Sequence, residues 1–313
     1  MAQRSVFCLI FYGLSLTISF PLYSQDQIAI AEFLPLQAGN KWTYRENALT
    51  NHTVTVLPGT TIINGTATRA LSDSDGTASY YTNDSNGIRL HRETTVENET
   101  ITLSPPWLMV GPVAALGQTF SGSGLATVVS PVNGTMHLNY TGSITVSNTE
   151  QISVPAGTFN SVRLNGTLSL SGTVNGQFIQ VIEYIEYWTV EHIGPVRQSL
   201  NIDGEIEDNI LLSYFIDHDE DGIDDRQDAD DDGDGISDTN EIKFGLNPFD
   251  PKDAASDNDN DGLTNLSEIE IGTDLNNADT DHDNINDKDE LDAGTNPLIN
   301  EAAVIINLLF SDP

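Results

Sequence analysis

Apolar and polar residues alternate along much of the chain between residues 25 and 215. In 136–146 and again in 162–170, every second position is apolar over most of the stretch, and the positions between are polar. The apolar faces consist of Met136, Leu138, Tyr140, Ile144 and Val146 in the first stretch, and of Val162, Leu164, Leu168 and Leu170 in the second. Because one face of each strand is apolar and the other polar, the pattern predicts an antiparallel sheet that is curved or closed.

A third stretch, 177–190, predicts a long strand whose aromatic face holds Phe178, Ile182, Tyr184 and Trp188. Asn-Gly pairs recur between the apolar runs, at 64–65, 86–87, 133–134, 165–166 and 175–176, and this dipeptide is typical of tight turns between strands. Helical periodicity is nearly absent, so we expect at most a helical turn in 29–36 and another in 112–118.

The pattern changes completely after residue 216, where one acidic motif occurs four times. Its form is Asp-x-Asp-x-Asp-Gly-apolar-x-Asp/Asn-x-x-Asp/Glu, with Asn284 in place of Gly in the last copy and Asn265 in place of an acid in the third. The positions with oxygen-bearing side chains are Asp217, Asp219, Asp221, Asp225 and Asp228; Asp230, Asp232, Asp234, Asp238 and Glu241; Asp257, Asp259, Asp261, Asn265 and Glu268; and Asp279, Asp281, Asp283, Asp287 and Glu290.

The spacing has a chemical reason. Ca²⁺ takes about six to eight oxygen ligands, and residues 1, 3 and 5 of a tightly curled loop can direct their carboxylates at one centre. A sharp turn at position 6 favours Gly, with Asn as the next choice. Position 7 can then offer a backbone carbonyl, and positions 9 and 12 can complete the shell. The carbonyls would belong to Ile223, Ile236, Leu263 and Ile285.

Oxygen-only ligands argue against Zn²⁺ or Cu²⁺, and Mg²⁺ rarely uses an all-protein cage. We therefore expect about four or more Ca²⁺ ions in this region. The alternative is a disordered acidic tail, which composition alone would allow. The constant register of acid, Gly and apolar residue across the copies favours the calcium interpretation.

The apolar residue directly after Gly distinguishes this motif from an EF-hand, in which the apolar residue comes one position later. With the trailing segments that begin at Glu241, Glu268 and Glu290, the region resembles the thrombospondin type 3 repeat in its Cys-free bacterial form. This resemblance covers about a quarter of the chain. It implies an irregular calcium-wrapped array with short helical turns and almost no hydrophobic core. The two Asn substitutions predict weaker binding in the third and fourth loops.

The net charge of −35 excludes non-specific binding to nucleic acid, which needs a basic surface. Residues 1–24 have the features of a secretory signal, with Arg4 before an apolar run from Val6 to Phe20. A membrane anchor is the alternative, but this run is shorter than the roughly 20 residues a spanning helix needs. Cys8 is the only cysteine and lies in the expected signal, so we expect no disulfide in the mature chain.

The sequence thus predicts four parts: a signal peptide in 1–24, an antiparallel β domain in 25–215, the calcium array in 216–300 and an apolar tail in 301–313. The fold class is mainly β, as a curved sheet or half-open barrel followed by the irregular array. Localisation is expected to be secreted, extracellular or at the cell surface, with the periplasm as an alternative.

Three phrases of the β domain resemble secreted and lipoprotein β domains with the open half-barrel of lipoprotein carriers: Phe33 to Tyr44, Val154 to Phe159 followed by Val162 and Arg163, and Tyr187-Trp188 with Gly194 to Arg197. This resemblance implies strands around an apolar concavity that can hold a lipid or other hydrophobic ligand. The alternative is that Trp42, Tyr44, Trp188 and the aliphatic faces simply fill a core.

No nucleophile, metalloprotease, phosphate-loop or dinucleotide motif occurs, so we expect no catalytic residues and no enzymatic activity. The sequence favours a calcium-binding protein at or outside the cell surface, with an adhesive or structural role and an unidentified protein or glycan partner. The alternatives are a carrier of a hydrophobic ligand and an accessory domain of an extracellular hydrolase. No segment is expected to span a membrane.

Overall fold

The computed structural model describes residues 27–29 and 31–300. In order along the chain, the strands are β1 (Ile28–Ala29), β2 (Lys41–Glu46), β3 (Thr50–Val56), β4 (Thr61–Ile63), β5 (Thr66–Asp73), β6 (Ala78–Asp84), β7 (Gly87–Thr94), β8 (Thr100–Val110), β9 (Val113–Ala114), β10 (Thr119–Ser130), β11 (Gly134–Val154), β12 (Gly157–Val174), β13 (Gln177–Val190), β14 (Gly194–Ile202) and β15 (Glu205–Phe215). The helices are α1 (Asp238–Phe244), α2 (Asn265–Ile271) and α3 (Asp287–Ala293), and one 3₁₀ turn spans Ala31–Phe33. The signal peptide, Cys8 and the apolar tail predicted from the sequence lie outside the described residues.

The strands form one large antiparallel sheet that closes on itself. Its order is β3-β2-β15-β14-β13-β12-β11-β10-β8-β7-β6-β5-β4, and β3 also pairs with β5. That extra pairing joins Val54 to Asp73 and Val56 to Leu71, so β4 is left outside the ring as an appendage of β5. The predicted mainly β chain with an antiparallel curved sheet is confirmed, and the sheet is more fully closed than a half-open barrel.

The interior of the ring is packed by the faces that the alternation predicted. Leu138, Tyr140, Ile144 and Val146 on β11 are buried, and so are Val162, Leu164 and Leu168 on β12. Trp107 of β8, which is 1% exposed, lies against Gly142, where any larger residue would collide with the indole ring. Close approach between a large ring and a bare backbone thus fixes how β8 and β11 pack across the interior.

The apolar face predicted for β13 is only partly buried. Phe178 and Tyr184 are 71% and 54% exposed, whereas Trp188 on the same face and Ile185 on the opposite face are buried. Glu183 and Tyr187, on the same face as Ile185, line a cavity inside the ring. β13 pairs with β12 and β14, and its register against β14 shifts between Trp188 and Thr189.

A second hydrophobic cluster forms around Trp42 and Tyr44 on β2. Both side chains are 1% exposed, and they pack with Val56, Val196 and Leu211. Their polar atoms are satisfied: Trp42 Nε1 donates to the carbonyl of Ile193 at 2.6 Å, and Tyr44 Oη donates to that of Pro195 at 2.7 Å. These rings therefore belong to the core.

Ile216, at the end of the barrel, is part of the second cluster and leads directly into the acidic region. Beyond it, the chain has little regular structure apart from α1, α2 and α3. Few apolar side chains of this region are buried; they are Ile236, Ala254, Leu263 and Leu275. The expectation of short helical turns with little hydrophobic core agrees with this arrangement.

Candidate metal centre

The four acidic motifs form four loops with the same backbone geometry. We call them loops 1 to 4, comprising residues 217–228, 230–241, 257–268 and 279–290, and number their positions 1 to 12. Helices α1, α2 and α3 begin at position 9 of loops 2, 3 and 4. Each of these helices ends at a left-handed glycine: Gly245, Gly272 or Gly294. Loop 1 has no helix, because loop 2 starts immediately after it.

Each loop is curled by hydrogen bonds from its own backbone to its own carboxylates. Oδ2 of the position 1 aspartate accepts the N–H of position 6, at 2.9–3.1 Å in all four loops. Oδ1 of the position 5 aspartate accepts the N–H of position 7, at 2.7–2.9 Å. The aspartates at positions 1 and 5 are therefore held by the loop before any ion is considered.

Position 6 adopts positive φ in every loop, as the sequence predicted: Gly222 +98°, Gly235 +97°, Gly262 +104° and Asn284 +73°. Position 4 is also left-handed in every loop, which the sequence analysis missed; its occupants are Glu220, Gly233, Asn260 and His282. Gly233, Asn260 and His282 are residue types that adopt this conformation more often than others, so the signal was present in three of the four copies. These paired left-handed residues bend the loop around its acidic face.

The bend brings the carboxylates of positions 1, 3 and 5 together. In loops 1, 2 and 3, one oxygen from each of the three aspartates lies within 4.8 Å of the others. The three groups are Asp217, Asp219 and Asp221; Asp230, Asp232 and Asp234; and Asp257, Asp259 and Asp261. Loop 4 has the same internal hydrogen bonds, made by Asp279, Asp281 and Asp283.

The position 12 glutamates are buried, although a free carboxylate normally stays in water. Glu241, Glu268 and Glu290 are each 0% exposed. Neither carboxylate oxygen of Glu241 has a hydrogen-bond partner among the described residues, and Oε2 of Glu268 has none either. Asn265 at position 9 is 0% exposed as well, and its Oδ1 is unpartnered within this part of the chain. Burying such oxygens is costly unless a cation or a proton satisfies them.

Asp253 lies outside the motif but joins the carboxylates of loop 2, which we call the second site. One oxygen each of Asp234, Glu241 and Asp253 lie within 4.8 Å of one another, and Oδ1 of Asp253 is buried without a partner among the described residues. Asp234 therefore belongs to two groups. The sequence analysis missed Asp253 because it lies in the connection between α1 and loop 3, where no motif position falls.

Like charges are crowded together in the loops. Burial, followed by repulsion from the neighbouring Asp232 and Asp234, raises the pKa of Glu241 to about 8. Burial, followed by repulsion from Asp259 and Asp261, raises the pKa of Glu268 to about 7. Burial, followed by Asp234, raises the pKa of Asp232 to about 6. Without a cation, these carboxyls hold protons at pH values where free carboxyls are ionised.

The other predicted ligands have additional roles. Asp225, Asp238 and Asp287 at position 9 accept the backbone N–H of position 2, at 2.9–3.1 Å. Asp228 accepts the N–H groups of Ala229 and Asp230, and so it helps to start loop 2. Ligation by these four acids and by the position 7 carbonyls stays a prediction. The position 7 side chains differ, since Ile236 and Leu263 are buried while Ile223 and Ile285 are each 45% exposed.

Loop 1 is attached to the barrel by polar contacts. The N–H of Asp217 donates to Oδ1 of Asn40, which is 0% exposed, and Oε1 of Glu220 accepts the N–H of Ala38. Near this contact the ring of Phe249 stacks on His192 of the barrel, with centroids 3.8 Å apart. The array therefore starts from a fixed point on the barrel.

No protein-family model matches the chain, and no curated protein matches it. Among residues 27–29 and 31–300, no helix is long and apolar enough to cross a membrane.

Three solved structures resemble this chain. They are a protein provisionally described as a lipoprotein from Parabacteroides distasonis (13% identity, TM-score 0.32, 58% of this chain and 97% of that one), the hypothetical lipoprotein YmcC from Escherichia coli (10%, 0.32, 60% and 90%), and a protein provisionally described as exported, with a YmcC-like fold, from Bacteroides fragilis (13%, 0.30, 59% and 99%). All three scores are low, and none of these similarities carries an argument about function.

Proposed function

We propose that residues 217–290 bind about four or more Ca²⁺ ions and that the bound ions order the array. The observation that carries this proposal is the complete burial of Glu241 with both carboxylate oxygens unpartnered in the described chain, beside Asp232, Asp234 and Asp253. A buried carboxylate of this kind needs a positive charge nearby if it is to stay ionised at neutral pH. No arginine or lysine of the described residues is paired with it, and a bound cation would supply that charge.

The donor chemistry favours calcium over other metals. All side chains in the loop groups are carboxylates, and hard oxygen ligands in a flexible loop suit Ca²⁺ better than Zn²⁺ or Cu²⁺. Positions 1, 3, 5 and 12 would hold the ion. Asp253 would add a ligand to the second site, and in loop 3 the uncharged Asn265 would contribute its Oδ1.

Ion binding would supply the free energy that a hydrophobic core supplies elsewhere. The array has few buried apolar residues, and its carboxylates repel one another. Binding energy in such a site appears directly as folding energy. The chain has a single cysteine, Cys8 in the expected signal peptide, so calcium would take the stabilising role that disulfides have in many secreted proteins.

At the level of the whole protein, we propose an exported calcium-binding protein without enzymatic activity, in which the array is a rigid support for the barrel at or outside the cell surface. The contacts from loop 1 to Asn40 and Ala38 support this role, because they fix the direction in which the array leaves the barrel. A protein or glycan at the surface is the proposed partner.

The proposal is tested by calorimetric titration of the chelator-treated protein with CaCl₂, and in parallel with MgCl₂. We expect several high-affinity Ca²⁺ sites and much weaker Mg²⁺ binding. In the Asp234→Ala variant we expect a lower Ca²⁺ stoichiometry or affinity, because Asp234 belongs to two oxygen groups. A protein that retains no Ca²⁺ at millimolar supply would overturn the proposal, and an unchanged titration of Asp234→Ala would show that the register is wrong.

A further inference from the structure

The interior of the barrel contains two adjoining cavities that share two acidic residues. The larger has a volume of about 470 Å³ and the smaller about 210 Å³, and both are lined by Glu93 of β7 and Glu183 of β13. The lining of the larger cavity extends to Asp75 and Val96, which are exposed. A small molecule could therefore enter from the surface near these residues.

Glu93 faces the cavity because of an irregularity in its strand. Leu90 and Glu93 line the same small cavity although they are three positions apart, which regular alternation does not allow. The pairing of β7 shifts register at His91 against both β6 and β8. Such a bulge reverses the direction of the side chains that follow it and turns Glu93 inwards. Glu183 faces inwards with Ile185, since the interior face of β13 carries both.

Neither carboxylate has a cationic or hydrogen-bonding partner among the described residues. The other charged groups that face the larger cavity are Asp75, Glu207 and the His52–Asp73 pair, in which one charge offsets the other. Burial raises the pKa of Glu183 to about 8, with Glu93 and Glu207 acting in the same direction. Burial also raises the pKa of Glu93. The two carboxyls therefore ionise readily only when a positive charge lies beside them. Among the described lining residues, the one basic group is His52, which is already paired with Asp73.

Apart from Thr95, the rest of the smaller cavity is aliphatic. Its wall consists mainly of Leu90, Ile101, Leu103, Leu168, Leu170 and Val181. On the side of the larger cavity, the rings of Tyr81 and Tyr187 join the lining. Aromatic rings and carboxylates attract ammonium groups, whereas an aliphatic wall favours a hydrocarbon chain.

We propose that the barrel binds an amphiphilic cation, a molecule with one aliphatic chain and a terminal ammonium group. The ammonium lies between Glu93 and Glu183, and the chain lies along the aliphatic wall of the smaller cavity. Fatty acids and other anionic lipids are disfavoured, because their head groups would meet two carboxylates without a counter-charge. This proposal concerns the barrel alone and does not depend on the calcium array.

The test compares three ligands with the same chain and different heads. Octylamine hydrochloride, octanol and sodium octanoate are titrated into the full mature chain at neutral pH, with calcium present throughout, and binding is measured by calorimetry. We expect octylammonium to bind at least about tenfold more tightly than octanol, a difference of about 1.4 kcal/mol. We expect octanoate to bind most weakly.

The double variant Glu93→Gln/Glu183→Gln keeps the shape of both side chains and removes their charge. It should lose the preference for octylammonium over octanol while still binding octanol, which would show that the barrel is folded. The matched control is Glu205→Gln, an exposed glutamate at the start of β15 that should leave all three affinities unchanged. Octanoate binding as tight as octylammonium binding, no binding of any of the three ligands, or full octylammonium affinity in the double variant would overturn the proposal.

Discussion

The acidic residues of the array differ sharply in environment although their side chains are alike. Glu270 on α2 is exposed, whereas Glu268, two residues earlier on the same helix, is 0% exposed. The difference follows from helix geometry, because residues two apart on a helix point in different directions. Position 12 falls on the buried side each time, since the helix starts at position 9. On α2, burial therefore separates the position 12 glutamate from the solvated acid beside it.

A variant of Asp253 tests which residues form the second site, because no motif includes Asp253. In Asp253→Asn we expect the Ca²⁺ affinity of the second site to fall at least about tenfold, or about 1.4 kcal/mol, since a carboxylate near Asp234 and Glu241 loses its charge. Calorimetry on the chelator-treated variant measures this. Glu270→Gln removes an exposed acid and should leave the titration unchanged. Equal affinities in Asp253→Asn and the unaltered protein would remove Asp253 from the site.

His52 makes the barrel itself sensitive to pH. Its hydrogen bond to Asp73 is the main cause that raises the pKa of His52 from 6.5 to about 9. Because the pKa is higher in the folded than in the unfolded state, the pair contributes stability that is fully present below pH 6.5 and is lost as the pH rises through about 9. In His52→Gln this loss should be absent.

Thermal unfolding of both proteins, followed by circular dichroism on either side of pH 9, measures the effect. The comparison with His52→Gln is needed because Glu183 titrates in the same range, with a pKa of about 8. Parallel pH profiles of the two proteins would show that His52 contributes nothing.

At the scale of the element, each acidic loop has a backbone geometry that its own hydrogen bonds define. Position 1 accepts the N–H of position 6 in every loop, and positions 4 and 6 are left-handed in every loop. This geometry, which the four loops share, explains why the motif has Gly at position 6, where φ is positive. It also explains why Asn284, a residue type that tolerates positive φ, can replace Gly in loop 4.

Gly222→Ala tests how much the positive φ at position 6 of loop 1 contributes to Ca²⁺ binding. A Cβ at Gly222 would meet nothing within 4 Å, so the cost comes from its φ of +98°. We expect a loss of roughly 1–2 kcal/mol in loop 1, seen as weaker Ca²⁺ binding in calorimetry.

Gly204→Ala is the matched control, because Gly204 has a φ of +95° and equally open surroundings but lies in the β14–β15 turn. It should lower the melting temperature of the barrel and leave Ca²⁺ affinity unchanged. Equal Ca²⁺ binding by Gly222→Ala and the unaltered protein would separate the turn from ion binding.

The whole molecule combines two parts, the barrel and the array, that differ in their content of buried apolar residues and of carboxylates. The barrel has a closed hydrogen-bonded ring and two hydrophobic clusters, whereas the array has a handful of buried apolar residues and many carboxylates. The barrel therefore has its own source of stability, and the array depends on charge compensation. The two meet at Ile216 and the contacts of loop 1 with Asn40 and Ala38.

Removing calcium should consequently affect the two parts differently. After treatment with a chelator, we expect the array to expand and become sensitive to protease between residues 217 and 300, while the barrel stays intact. Small-angle scattering measures the increase in radius, and mass spectrometry of the protease products locates the cuts. An unchanged radius and an unchanged cleavage pattern would contradict the calcium-ordered array, and addition of CaCl₂ in excess of the chelator is the control.

The sequence by itself determined the class of each part, because that information is local. Alternation fixed the buried faces of β11 and β12, and acid spacing placed Asp230, Asp232 and Asp234 in one group. Tertiary structure decided what local patterns cannot encode: the closure of the sheet through β3 and β5, the inward face of β13, and the bulge that turns Glu93 into the cavity. Asp253 joins Asp234 and Glu241 for the same reason, since that contact depends on how a connection folds back over a helix. These features arise from packing between distant segments, and the free energy that selects them is spread over contacts that no single stretch of sequence contains.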